Sequence, residues 1–132
     1  MQTVSTPTES GPVATNETHS LIASDKVEGT AVYNRAGDSL GSIYTVMIDK
    51  FTGQVSYAVM SFGGFLGLGE RYHPLPWKAL TYDTRLGAYV VDISHKQLEH
   101  APSYARDETP WSDPAYGRGV SDYYGESYGS GI

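Results

Sequence analysis

The sequence predicts an all-β fold, a small closed or partly open antiparallel β-barrel of about six strands followed by one short C-terminal helix. From about Leu21 to Pro102 the chain consists of short apolar, β-branched and aromatic runs separated by turn residues. These runs recur at intervals of about ten residues, with no helical repeat between them. A barrel is favoured over a sandwich for so short a chain because closure removes open strand edges.

The strands are predicted from composition and from the turns between them. After the first strand, Gly37 lies in a turn where glycine tolerates a positive φ angle. The second strand is rich in β-branched residues and apolar enough to be mostly buried, and the compact turn at 50–53 returns the chain antiparallel. The predicted strands cover residues 27–34, 42–49, 54–62, about 70–73, 78–83 and 88–93.

One short helix is predicted after the last strand, over residues 95–101. Ser94 precedes it and Gln97 occupies the third helical position, which is the arrangement of a capping box. Pro102 ends the helix because proline has no N–H and disfavours a helical conformation in the residue before it.

The chain is predicted to have three parts. Residues 1–20 are rich in Thr, Ser, Pro and Glu without apolar periodicity, so we expect a disordered arm. Residues 21–104 form the barrel domain. Residues 105–132 are predicted to be an acidic, Tyr- and Gly-rich flexible tail, whose aromatic side chains are available to dock on the barrel or on a partner.

The charge and composition exclude several classes of function. The formal net charge is −6, and residues 103–132 hold five acids against two arginines. A chain without a basic stripe is not expected to bind nucleic acid directly or to adhere to anionic membranes, whereas a basic protein partner is compatible with it. The first twenty residues lack a secretory signal pattern, and no run approaches the roughly 20 apolar residues of a membrane span, so we expect a cytoplasmic protein without membrane insertion.

The most distinctive segment is "GGFLGLGERYHPLPW", residues 63–77. Its glycines run as G-x-x-G-x-G, the reverse of a dinucleotide-binding fingerprint, and the prolines that follow prevent a helix. Two interpretations stay open: the segment is a structural corner whose apolar residues close the barrel, or it is an exposed loop that docks a partner. The candidate protein-interaction residues are Phe65, Leu66, Leu68, Tyr72 and Trp77.

Trp77 has two interpretations of its own. Two prolines flank Leu75 and impose an extended path, and a tryptophan directly after it is most simply a core plug. Tryptophan is also enriched at protein-binding hot spots, so an interaction role is the alternative.

No catalytic, cofactor-binding or metal-binding residue is predicted. The four histidines have no local ligand spacing, so a packed or surface role is expected for each, including His73. The chain contains no cysteine and no G-x-S-x-G nucleophile motif.

The segments together resemble a stand-alone bacterial PRC-barrel protein, from about Leu21 to Tyr104. The family takes its name from the cytoplasmic domain of the photosynthetic reaction-centre H subunit, and a related barrel is the C-terminal domain of the ribosome maturation factor RimM. The resemblance is carried by Gly41 before a strand ending in Ile48-Asp49, Thr52-Gly53 at a turn, Gly63-Gly64-Phe65, Pro76-Trp77, and Leu98 with Ala101-Pro102.

The resemblance implies a six-stranded barrel without enzyme activity or cofactor that acts as a protein-interaction module. The leading hypothesis is therefore an adaptor or scaffold that binds a protein partner, which includes a second copy of itself as a homodimer. The first alternative is an accessory protein of ribosome assembly or RNA metabolism that acts through a protein partner. The second is a small-molecule-binding barrel that uses its mouth as a pocket.

Overall fold

The structure is a computed structural model that describes residues 11–62 and 69–125. A single helical turn precedes the first strand, and a longer helix lies near the end of the described chain. The elements are α1 Ser24–Val27, β1 Ala31–Tyr33, β2 Ser39–Ile48, β3 Val55–Phe62, β4 Arg71–Pro76, β5 Leu80–Asp83, β6 Ala88–Val91, α2 His95–Glu99 and α3 Pro114–Tyr123, with 3-10 turns at Trp77–Ala79 and Pro110–Ser112.

The six strands form one curled sheet in the order β4-β3-β2-β1-β6-β5, which makes a half-barrel. The prediction of a partly open six-stranded barrel with a short C-terminal helix is confirmed. The expectation that every pair is antiparallel is wrong for one pair, because β1 lies parallel to β6 with Val32 opposite Tyr89. The intervening strands supply the long crossover that a parallel pair requires.

The first strand is shorter than predicted. Val27, the predicted first residue of the strand, is the last residue of the helical turn α1. Gly29 then has a φ angle of 91°, which lies outside the β region, so β1 begins only at Ala31.

The main hydrophobic core combines side chains of the strands with Leu98 of α2. Leu98 of α2 is fully buried. The predicted capping box is confirmed: the Ser94 hydroxyl accepts a hydrogen bond from the Gln97 N–H, and the Gln97 side chain accepts one from the Ser94 N–H. The largest fully buried apolar side chains of the strands are Val32, Leu40, Ile43, Val59, Met60 and Leu75.

Gly41 allows β2 and β3 to approach each other closely. A Cβ atom built on Gly41 would lie 2.2 Å from the carbonyl oxygen of Ser61. Real Cβ atoms do not approach an oxygen so closely, so any larger residue would force the two strands apart.

β4 is an edge strand by hydrogen bonding, yet its residues from Tyr72 to Pro76 are buried. The outward N–H of Tyr72 donates to Tyr104, and backbone groups alternate in direction along a strand. The next two outward-facing nitrogens therefore belong to Pro74 and Pro76, which have no hydrogen to donate. This is the position in which a sheet tolerates proline.

The described part of the C-terminal segment is ordered, contrary to the prediction of a flexible tail. Asp113 caps α3 by accepting from the Ala115 N–H, and α3 packs against β4. Val120 is fully buried, and the Tyr57 hydroxyl donates to the Gly117 carbonyl at 3.2 Å. Tertiary contacts thus stabilise a segment whose glycines disfavour a helix.

Candidate protein-interaction surfaces

Trp77 forms part of an aromatic wall where the sheet is open between β4 and β5. It begins the 3-10 turn that joins these strands. Its ring lies 5.4 Å from that of Tyr89, and the ring of Tyr82 lies 5.0 Å from Tyr89 in an edge-to-face contact. Trp77 is half-buried and packs against the core. It is therefore neither the fully buried core residue of one prediction nor the exposed interaction residue of the other.

The N-terminal residues 17–22 lie beside this wall and enclose a cleft with a volume of about 400 Å³. We call it the aromatic cleft; its barrel side is formed by Trp77, Leu80, Tyr82, Thr84 and Tyr89. The arm is held there by a polar contact, because the Tyr82 hydroxyl donates to the Glu17 carboxylate at 2.9 Å.

The electrostatics of the cleft depend on Glu17. The hydrogen bond to Glu17 is the main cause that raises the pKa of Tyr82, whereas burial is the main cause that raises the pKa of Tyr89. Glu17 also lies 3.8 Å from the ammonium group of Lys26, in a pair whose lysine side chain is 68% exposed. Both tyrosines are therefore neutral donors at physiological pH, and the negative charge of the cleft belongs to Glu17.

Tyr72, the other predicted interaction residue within the described chain, lies beneath the C-terminal segment. Its ring contacts Tyr44 at 5.1 Å and Tyr104 at 5.8 Å. The guanidinium of Arg106 lies over the Tyr72 ring, 5.4 Å from its centre, and pairs with Glu70 at 3.4 Å. Burial raises the pKa of Tyr72. A partner could contact Tyr72 only if this segment moved away.

The structure does not bring the predicted interaction residues into one surface. Tyr72 lies near the start of β4 and Trp77 follows its end, and the two side chains belong to different aromatic clusters. Phe65, Leu66 and Leu68 lie outside the described residues, so their role as a docking loop stays a prediction.

Sequence reasoning missed Tyr82, Tyr89 and Glu17 as parts of a site. A signal for the tyrosines was present, because they are equally distant from the turn at 84–87 and a tight hairpin places such residues opposite each other. The structure pairs Tyr82 with Tyr89 in this way. No comparable signal existed for Glu17, whose contact joins the polar arm to a strand far along the chain.

His73 is a packed histidine. It is 3% exposed, its ring lies edge-to-face with Phe62 at 5.7 Å, and its Nδ1 atom has no hydrogen-bond partner among the described residues. Burial lowers its pKa to about 4, so the ring is neutral at physiological pH.

Two further observations concern metal and membrane. In residues 11–62 and 69–125, no three His, Asp or Glu side chains converge as a metal ion would require. No helix in the same part of the chain is long and apolar enough to cross a membrane.

The comparisons with known proteins identify the family. The family model for the PRC-barrel domain matches residues 19–98, which is more than half of the chain. This chain belongs to the PRC-barrel family. The PRC barrel is a general protein-interaction fold. The match contains the arm residues His19 to Ile22 and the whole barrel side of the aromatic cleft, and it ends before Tyr104 and α3. The search of curated proteins finds no significant match.

Proposed function

We propose that this PRC-barrel protein is a non-enzymatic adaptor or scaffold that binds a protein partner, and that the aromatic cleft is its binding surface. The observation that carries the proposal is the cleft itself: a cavity of about 400 Å³ that opens at the gap in the sheet and has Trp77 and Tyr82 in its wall. Tryptophan and tyrosine are enriched among the few residues that carry most of the binding energy at protein interfaces, because each has a large apolar ring and one polar atom that forms a hydrogen bond.

Two parts of the proposal extend beyond the cleft. The sequence-based docking loop of Phe65, Leu66 and Leu68 is retained as a second contact region, to be tested through a Phe65→Ser, Leu66→Ser variant. Self-association is retained as well, and light scattering coupled to size-exclusion chromatography over a range of concentrations tests it.

Affinity capture with the full chain tests the cleft as the binding surface. We expect at least one protein to be captured by the wild type and lost with Tyr82→Ala, which removes one wall of the cleft. Phe51→Ala is the matched control, because Phe51 is an aromatic residue 97% exposed at the β2–β3 turn and does not line the cleft. A partner captured equally by all three proteins would exclude the cleft as its binding surface.

A further inference from the structure

An occupied cation site consists of aromatic ring faces, a carboxylate and the bound cation, and the aromatic cleft contains the first two. Its rings are tilted against one another, by 58° between Trp77 and Tyr89 and by 68° between Tyr82 and Tyr89. The three rings are therefore not stacked on one another, and all three line the cleft. Tyr89 is 4% exposed and forms the floor, while the half-buried Trp77 and Tyr82 form the sides. The face of an aromatic ring attracts a cation through its quadrupole.

The second component is a carboxylate in a fixed position. Glu17 accepts the hydrogen bond of the Tyr82 hydroxyl at 2.9 Å, so its charge is held at the edge of the aromatic wall. Its ion pair with Lys26 spans 3.8 Å and is largely exposed on the lysine side. Such a pair contributes little, so Lys26 can be exchanged for another cation. Among the described residues that line the cleft there is no lysine or arginine, and His19 is the one basic side chain.

A second aromatic cluster of the same molecule, the one around Tyr72, does contain a cation beside a ring and a carboxylate. Arg106 lies 5.4 Å from the centre of the Tyr72 ring and pairs with the Glu70 carboxylate at 3.4 Å. A cation, a tyrosine face and a carboxylate thus come together in the C-terminal cluster, whereas the aromatic cleft has the rings, the carboxylate and an open volume of about 400 Å³.

We propose that the aromatic cleft binds a basic side chain, arginine or lysine, of a protein partner. This inference rests on the proposed function and adds the chemistry that the partner presents. The net charge of −6 favours the approach of a basic partner, because complementary charge steers association and opposes acidic competitors.

The test uses the full chain with Trp111→Phe, so that the fluorescence of Trp77 alone reports binding. The probes are a short blocked peptide containing one arginine and the same peptide with uncharged citrulline. We expect saturable binding of the arginine peptide, weakened by salt, and binding of the citrulline peptide roughly tenfold weaker. Equal binding of the two peptides, or no saturable response to the arginine peptide, would overturn the proposal.

Two variants of exposed residues give opposite expectations without disturbing the core. Glu17→Gln should weaken binding of the arginine peptide roughly three- to tenfold, since it removes the charge and keeps the shape. Lys26→Gln should strengthen it, since it removes the competing cation. If neither variant changes the affinity, the carboxylate has no role and the proposal fails.

A third probe separates a partner side chain from a free small cation. Tetramethylammonium that binds while the arginine peptide does not would overturn the assignment to a protein side chain. The capture experiment is independent of these titrations. A partner lost with Tyr82→Ala but unaffected by Glu17→Gln and Lys26→Gln would leave the adaptor function in place and overturn the assignment to a basic side chain.

Discussion

Tyr72 and Tyr104 exchange both of their backbone hydrogen bonds across the open edge of β4, each with an N–O distance of 2.9 Å. Their rings also contact each other, with centres 5.8 Å apart. Tyr104 lies beyond the residues that match the family model and begins the segment that leads to α3. This segment is therefore attached to the sheet through both backbone and side chain, as an extension of the domain.

The first prediction concerns this attachment. Tyr104→Ala should lower the free energy of unfolding by about 1–3 kcal/mol, because the ring loses its contacts with Tyr72, Trp111 and Tyr116. Urea denaturation measures the change. Tyr104→Phe is the control: it keeps the ring and removes only the hydrogen bond from the Trp111 indole, so its cost should stay within about 1 kcal/mol. Equal losses in the two variants would contradict a role for ring packing.

The second prediction concerns the close approach of β2 and β3. Gly41→Ala should destabilise the fold by about 2 kcal/mol or more, because the added Cβ would lie 2.2 Å from the Ser61 carbonyl oxygen. Gly119→Ala is the matched control: Gly119 lies in α3 with open space around it, and alanine there should stabilise by up to about 1 kcal/mol. Thermal unfolding compares the two, and a Gly41→Ala protein as stable as the wild type would refute the steric argument.

The third prediction is a loss of stability in acid that arises from His73. Its pKa is lowered from 6.5 to about 4 by burial, so the unfolded chain binds a proton between these values and the folded chain does not. The contribution of neutral His73 to the free energy of unfolding is therefore fully present above pH 6.5, and it is lost as the pH decreases towards 4. The expected loss is about 3 kcal/mol, measured as the free energy of unfolding in urea at a series of pH values.

His73→Leu tests the assignment. It should remove most of this pH dependence while costing little at neutral pH, because it also removes a buried nitrogen that has no partner among the described residues. An unchanged acid slope in this variant would show that other groups cause the loss.

The fourth prediction concerns alkaline pH and α3. Burial raises the pKa of Tyr116 from 10.0 to about 12, so its stabilising effect is present below pH 10 and is lost as the pH rises through 12. Tyr116→Phe should therefore be less sensitive to alkali. Because the Trp111 ring lies 5.4 Å from Tyr116, its fluorescence in a Trp77→Phe background follows the release of α3. Identical alkaline transitions with and without the hydroxyl would exclude Tyr116 as their source.

Local signals in the sequence predicted the local structure well. The capping box of Ser94 and Gln97 is visible in four residues, and so is the turn after Asp49, whose carboxylate accepts from the N–H groups of Phe51 and Thr52. In each case the interacting groups are three or fewer positions apart, so the local sequence is enough to determine the geometry.

Non-local contacts were not predictable in the same way. The parallel pairing of β1 with β6 joins residues more than fifty positions apart and leaves no local pattern. Helix α3 contains two glycines, which disfavour a helix, and its stability comes from the burial of Val120 and from contacts with β4. The aromatic cleft combines both cases. The pairing of Tyr82 with Tyr89 is predictable from the hairpin between them, whereas the contact of Glu17 depends on the path of the N-terminal arm and is not predictable from local sequence.

The proline pattern of β4 limits how two copies of this chain can meet. At this edge a foreign strand finds backbone acceptors, but the outward N–H of Tyr72 is already engaged and Pro74 and Pro76 have none. Fibre growth needs donors and acceptors along the whole length of an exposed strand, so it cannot be templated here. At this edge two copies therefore cannot pair as neighbouring strands of one continuous sheet.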